Sequence, residues 1–269
     1  MVEHSAAAAV VVLRDLTVSY RQHPALHHIS GRFEAGSLTA VVGPNGSGKS
    51  TLLKSIMGLV PVEGGRSGGA LKVAPSPKRI AYLPQLAEID RCFPIDVRDC
   101  VLLGCWAAAG VWGGIGRAML ARVDNALDAV GLQGFARRPV ASLSSGQLQR
   151  VLFARLMVQD AELILLDEPF NAIDAQTTAA LLVLVRRWHQ ERRTVIAVLH
   201  DDTQVRQHFP ATLLLARELV AWGPTCDVLT EPWLQSARAM AEAWDDNAEL
   251  CGIAVPQVLD PAIKITPCH

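Results

Sequence analysis

Residues 43–51 read Gly43-Pro44-Asn45-Gly46-Ser47-Gly48-Lys49-Ser50-Thr51, and no other stretch constrains the fold as tightly. Three glycines let a backbone curl until successive N–H groups converge on an anion, and a helix starting behind the loop adds the positive end of its dipole. The pattern is that of a phosphate loop, in which Lys49 reaches the β- and γ-phosphates of a nucleoside triphosphate and Ser50 lends a hydroxyl to magnesium. Its flanks agree. Residues 38–42 are a short apolar run suited to a buried strand, and residues 52–59 continue with helical periodicity. A glycine-rich surface turn is the competing reading, and it requires neither flank.

Such a loop belongs between strand and helix in a layered α/β domain, and the rest of the chain alternates accordingly. Residues 10–20 and 29–33 predict strands of an antiparallel edge sheet, with turns at 21–24 and 34–37. Residues 64–69 read as a hairpin region and 79–83 as a further strand. Continuous apolar runs at 163–166 and 195–199 suit strands buried on both faces, and 213–216 with 219–222 read as a late hairpin. Helices are predicted over 97–106, 119–130, 147–158 and 175–190, with Gly131 as a C-terminal cap and Asp174 as an N-cap. The expected fold is α/β, with a mixed central sheet, an antiparallel β edge subdomain and a helical subdomain over residues of about 88–160. Residues 1–230 are expected to form the nucleotide-binding domain, and 231–269 a helical extension and tail.

Composition narrows the partners. The formal net charge of −1 offers no basic excess for wrapping a nucleic acid, so none is expected. The cysteines Cys92, Cys100, Cys105, Cys226, Cys251 and Cys268 form no C-x-x-C pair, and Met1-Val2-Glu3-His4 lacks a basic n-region, which argues against a secreted disulfide scaffold. No charge falls between Asp99 and Arg117, yet this stretch is shorter than the roughly 20 residues of a membrane span and glycines interrupt it. Residues 100–116 read instead as an apolar surface that docks on another protein, or as ordinary helical core. His4, His27, His28, Cys268 and His269 show no metal-ligand spacing and are expected to be solvated histidines and a frayed terminus.

Asp167 and Glu168 emerge from the apolar run at 163–166. Two carboxylates at that place divide the work: Asp167 holds the magnesium shell, while Glu168 orients and polarises an attacking water, an effect typically worth about 10² to 10⁴ in rate.

Together with these, Leu143-Ser144-Ser145-Gly146-Gln147 resembles the signature motif of the nucleotide-binding subunits of ABC transporters, departing from its common form only by Ser145 where glycine usually stands. The resemblance implies an ABC cassette in which Ser144 and Gly146 meet the γ-phosphate of an ATP held by a second copy, with Gln147 also among the ATP-binding residues. It likewise implies that Tyr20 stacks on adenine and that Gln85 contacts magnesium and senses the membrane partner. Asp174 would couple the two sites of a dimer, and His200 would contact the γ-phosphate. The catalytic set is then Glu168, His200 and Lys49, and the magnesium set Ser50, Gln85 and Asp167.

The same resemblance implies a homodimer of ATPase subunits on membrane permease subunits at the cytoplasmic face of the inner membrane, with a periplasmic or surface metal-binding protein as an indirect partner. Residues 93–104 and 167–174 are similar to ATPases of the zinc and manganese uptake group, including the Azt-type zinc importers, which points to zinc import. Manganese, siderophore and haem importers are the alternatives within the family. A soluble ABC ATPase of repair or translation would carry a coiled-coil insertion or a second cassette, a nucleotide sensor would lack Glu168 or His200, and a small-molecule kinase has no use for residues 143–147.

Overall fold

The structure, a computed structural model, describes residues 9–20, 23–63, 70–106 and 115–243. The expectations for 64–69, for most of 107–116, for His4, and for Cys251, Cys268, His269 and the rest of the tail fall outside those residues. In chain order the strands are β1 Ala9–Tyr20, β2 His23–Glu34, β3 Leu38–Val42, β4 Leu71–Val73, β5 Ile80–Leu83, β6 Leu163–Asp167, β7 Thr194–Val198, β8 Ala211–Ala216 and β9 Glu218–Pro224. The helices are α1 Lys49–Met57, α2 Val97–Leu102, α3 Arg117–Ala129, α4 Ser145–Gln159, α5 Ala175–Gln190, α6 Asp202–His208, α7 Thr225–Val228 and α8 Glu231–Ala243.

Two compact units divide the chain: residues 1–74 with 196–269, and residues 75–195. β7 is the strand at which the division falls.

In the first unit β1 lies between β2 and β4, antiparallel to both. Strict alternation from Val11 and Leu13 would turn Asp15 inward. Instead Asp15 adopts φ 54°, the pairing slips between Leu13 and Leu16, and the inward face resumes at Leu16 and Val18. This bulge resets the parity of a period-two strand, which is how one ribbon keeps four apolar side chains on one face. The same unit holds β3 beside β8, parallel in register from Thr39 opposite Ala211 to Val42 opposite Leu214, with β9 antiparallel to β8. All five residues of β3 are buried, the pattern expected of a strand covered on both faces. Phe33 and Trp222 meet with ring centroids 4.6 Å apart, and the Trp222 ring lies against the bare Cα of Gly31.

The second unit pairs β5 with β6, parallel from Ile80 opposite Leu163 to Leu83 opposite Leu166. Phe153 of α4 is buried between the rings of Phe170 and Trp188, at 6.4 and 5.7 Å. α3 ends where Gly131 adopts φ 71° and its N–H returns to the Asp128 carbonyl, as expected of a glycine just past a helix.

Several boundaries move. The strand expected over 29–33 begins at His23, so Pro24, expected in a turn over 21–24, belongs to the strand. The helix expected over 97–106 tightens into a 3-10 turn at Leu103–Cys105. α6 was unexpected: seven residues carry too little periodicity to stand out, but Asp201 caps it by accepting from the Thr203 and Gln204 N–H groups. Among the described residues no helix is long and apolar enough to cross a membrane.

Candidate functional site

The residues singled out in the sequence fall into two groups, one in each unit. In the first, the chain leaves β3 through Gly43, whose φ is 150°, and enters α1 after Gly48, whose φ is 90°. A Cβ on Gly43 would stand 1.9 Å from the Leu215 carbonyl oxygen, and one on Gly48 would stand 2.3 Å from that of Ala25. Glycine is therefore required at both places by contact as well as by backbone angle. A Cβ on Gly46 would meet nothing within 4 Å, so the crown of the loop faces open space.

The N–H groups in the first turn of α1 have no intrahelical acceptor, the property that makes a helix start an anion cradle. Lys49 is buried, and its ammonium donates to the carbonyls of Gly43 and Pro44 at 2.9 and 2.7 Å. Ser47 Oγ is buried and has no hydrogen-bond partner among the described residues. An orphaned hydroxyl is costly in a packed interior, and a phosphate oxygen would satisfy it.

His200 follows β7 and is exposed. With Gly43, Pro44, Asp202, Leu234 and Arg238 it lines a cavity of about 140 Å³. Tyr20, at the end of β1, leaves 46% of its surface exposed, enough face for an aromatic base to stack on.

In the second unit Asp167 ends β6 with no exposed surface. The Tyr82 hydroxyl donates to its Oδ2 at 3.3 Å, and the Gln85 amide approaches its Oδ1 at 3.5 Å. Gln85 also donates to Glu168 Oε1 at 3.1 Å, while Asn171 donates to Glu168 Oε2 at 3.1 Å. The Glu168 carboxylate is thus held from both sides. Its backbone has φ 49°, a left-handed conformation that costs a non-glycine residue on the order of 1–3 kcal/mol and clusters at functional sites. A carboxylate taken wholly out of water suits a cation ligand. In this unit Asp167 and the Gln85 amide oxygen are hard oxygen donors of the kind magnesium takes.

The signature residues open α4. Ser144 accepts from the Gln147 N–H at 3.2 Å while the Gln147 side chain accepts from the Ser144 N–H at 3.0 Å, a reciprocal capping box. The Arg91 guanidinium donates to the Leu143 carbonyl just before it. Asp174 caps α5, accepting from the Thr177 N–H at 2.7 Å and the Thr177 hydroxyl at 2.8 Å. These bonds hold its carboxyl below the usual aspartate range, the backbone N–H contributing most, and Arg150 adds attraction. Gly146 lies against Asp174 and Thr177, and Arg150 Nη2 donates to Thr177 Oγ1 at 2.8 Å. Within one chain, then, the signature helix and the Asp174 turn are neighbours.

Sequence reasoning passed over several residues. Gln149 of α4 is buried and donates to the Pro169 carbonyl at 2.6 Å, next to Glu168. A glutamine between apolar Leu148 and the apolar residues 151–153 was the available signal. Tyr82, Asn171 and Arg150 were missed because their partners are set by tertiary packing. Of the histidines expected to be solvated, His27 requires correction. His27 is 7% exposed and its Nδ1 lies 2.9 Å from Glu218 Oε1; His28 is exposed and pairs with Asp15 at 2.5 Å.

A family model described as ABC transporter matches residues 26–171. The manganese transport system ATP-binding protein MntB of Listeria monocytogenes is 40% identical over 230 residues, covering 84% of this chain and 94% of its own. The zinc transport system ATP-binding protein TroB of Treponema pallidum is 40% identical over 242 residues, covering 88% and 90%. Among solved structures, an ABC transporter in an inward-facing conformation aligns with a TM-score of 0.75 at 29% identity, over 86% of this chain and 90% of that one.

Proposed function

Because this chain belongs to the ABC transporter family of ATP-binding proteins, we propose that it is the ATPase subunit of a divalent-metal importer and that zinc is the ion carried. Hydrolysis of ATP coupled to transport is the activity of the family. The observation that carries the cargo reading is the similarity, across more than four fifths of the chain, to ATP-binding proteins of manganese and zinc transport systems.

Each residue has a part in this reading. The loop N–H groups and Lys49 bind the β- and γ-phosphates, and Tyr20 stacks on adenine. Ser50, Gln85 and Asp167 would hold magnesium, which when bound supplies charge compensation to the phosphates. Glu168, oriented by Gln85 and Asn171, takes the proton of the attacking water, and His200 steadies the γ-phosphate. Two copies clasp each nucleotide, the second offering Ser144, Gly146 and Gln147. ATP favours the closed pair and its products the open one, because the γ-phosphate contact exists only before cleavage.

That motion reaches permease subunits at the cytoplasmic face of the membrane. In the second unit Phe93, Leu103, Trp106 and Ile115 are exposed apolar residues at and around the uncharged segment, and they support a docking role for it. Trp106→Glu is expected to weaken permease association in a pull-down from membranes; undiminished association would remove the segment from the docking surface.

Metal uptake tests the cargo. Cells carrying this chain with its permease subunits are expected to accumulate radioactive zinc in an ATP-dependent manner, and Glu168→Gln cells are not. Accumulation of manganese in place of zinc would replace the ion while keeping the importer, and efflux of either would overturn import.

A further inference from the structure

The phosphate loop rests on two supports that come from distant parts of the chain. One is β2: the Ala25 carbonyl lies where a Cβ of Gly48 would be. The other is the turn between β8 and β9: the Leu215 carbonyl lies where a Cβ of Gly43 would be, and the Arg217 N–H donates to the Ser47 carbonyl at 3.0 Å. Arg217 has φ 62°, and this left-handed turn lets it face both ways. Its carbonyl accepts from the His27 N–H at 2.8 Å, and its guanidinium donates to the Pro24 carbonyl at 3.2 Å.

The joints just named are made with backbone groups and the Arg217 guanidinium, and a side-chain pair lies beside them. His27 Nδ1 and Glu218 Oε1 are 2.9 Å apart, with 8% and 27% of the two side chains exposed. An ionised carboxylate can only accept, so Nδ1 carries the proton. The pair joins β2 to the start of β9, 191 residues away in sequence. Neither residue has a part in the nucleotide chemistry assigned above.

We propose that His27 and Glu218 are positioning residues, a latch that locks β2 to the β8–β9 turn and thereby holds the phosphate loop in the shape that binds phosphate. The inference rests on the ATP reading of that loop. Backbone N–H groups bind phosphate only where they converge to within about half an ångström of their productive places. The loop's own turn bond, from the Ser47 N–H to the Pro44 carbonyl, is long at 3.3 Å, so the outside supports share in setting its form with the Lys49 ammonium on the Gly43 and Pro44 carbonyls. Loosening the latch therefore affects nucleotide affinity. Glu168, which acts on the water, is carried by the other unit, so KM is expected to change more than kcat.

The test is ATP turnover against ATP concentration for the full chain in its assembled transporter, with the thermal midpoint and its shift on adding MgATP recorded alongside. Glu218→Leu is expected to raise KM by about tenfold with kcat within about twofold of the parent. Glu218→Gln keeps an oxygen that can accept from Nδ1, and it is expected to restore KM to within about twofold. An unchanged KM in Glu218→Leu, an equal rise in both variants, or a loss confined to kcat would each overturn the latch. Should Glu218→Leu fail to fold, His27→Leu, which removes the donor and fills the space, decides by the same criteria. A parent chain that shows neither turnover nor a MgATP shift would overturn the nucleotide reading itself, a result distinct from failure of the latch alone.

Discussion

The side-chain amide of Gln149 donates a 2.6 Å hydrogen bond to the carbonyl of Pro169, so the helix that begins at the signature residues directly props the turn that follows Glu168. Glu168 sits in a left-handed conformation, and a strained residue keeps its place only while its surroundings hold it.

Gln149→Leu should therefore act on rate more than on stability. It strands a buried carbonyl, which costs about 1–3 kcal/mol, but it also removes Gln149 Oε1, a buried atom with no hydrogen-bond partner among the described residues. The two effects offset in the unfolding free energy. The Glu168 turn loses its prop, and kcat is expected to fall by about tenfold or more. Steady-state turnover beside a urea melt reads both, and an unchanged kcat would deny the prop a role.

Gly48→Ala places a methyl 2.3 Å from the Ala25 carbonyl at a residue whose φ is 90°. Backbone strain of this kind costs on the order of 1–3 kcal/mol, and each ~1.4 kcal/mol borne by the bound state is a factor of ten in affinity. Calorimetric titration with MgATP should show binding weakened by about tenfold or more. Gly46→Ala meets no neighbouring atom, and any weakening it causes comes from its φ of 76° alone, so it should be the milder change.

Asp174 gives a pH dependence with a defined sign. Its carboxyl is held low in the folded chain by the Thr177 N–H and hydroxyl and then by Arg150, so the unfolded chain binds its proton more readily. Its contribution to stability is fully present above the unfolded aspartate value of about 3.9 and is lost as pH falls through the lower folded value. Asp174→Asn keeps a capping oxygen but has no charge to lose. The stability difference between parent and variant should favour the parent at about pH 6 and shrink at about pH 3, as read from urea unfolding at each pH. A difference that grows on acidification would contradict the sign.

Where periodicity and local chemistry decide, the sequence was legible. α5 runs over the expected residues 175–190 with Asp174 as its cap, and β6 differs from the expected 163–166 by one residue. A sixteen-residue amphipathic helix with an aspartate at its start, and a run of apolar residues ending in two carboxylates, carry their structure locally. What escaped is tertiary. The slip at Asp15 is one residue long and set by the partner strand, and α6 is too short and polar to show a period. The pairing of His27 with Glu218 spans 191 residues, which no local pattern reports. The phosphate loop, Asp167 with Glu168, and the signature pentapeptide were visible as motifs; that Gly146 lies against Asp174 within one chain was not.

The account stands most directly on Glu168. In the purified transporter, Glu168→Gln should lower ATP turnover by about 10² to 10⁴ while MgATP drives its ATPase subunits into a stable closed pair, detected by cross-linking across Ser144 and the partner copy's phosphate loop. Turnover at the parent rate, or subunits that stay apart in MgATP, would contradict it.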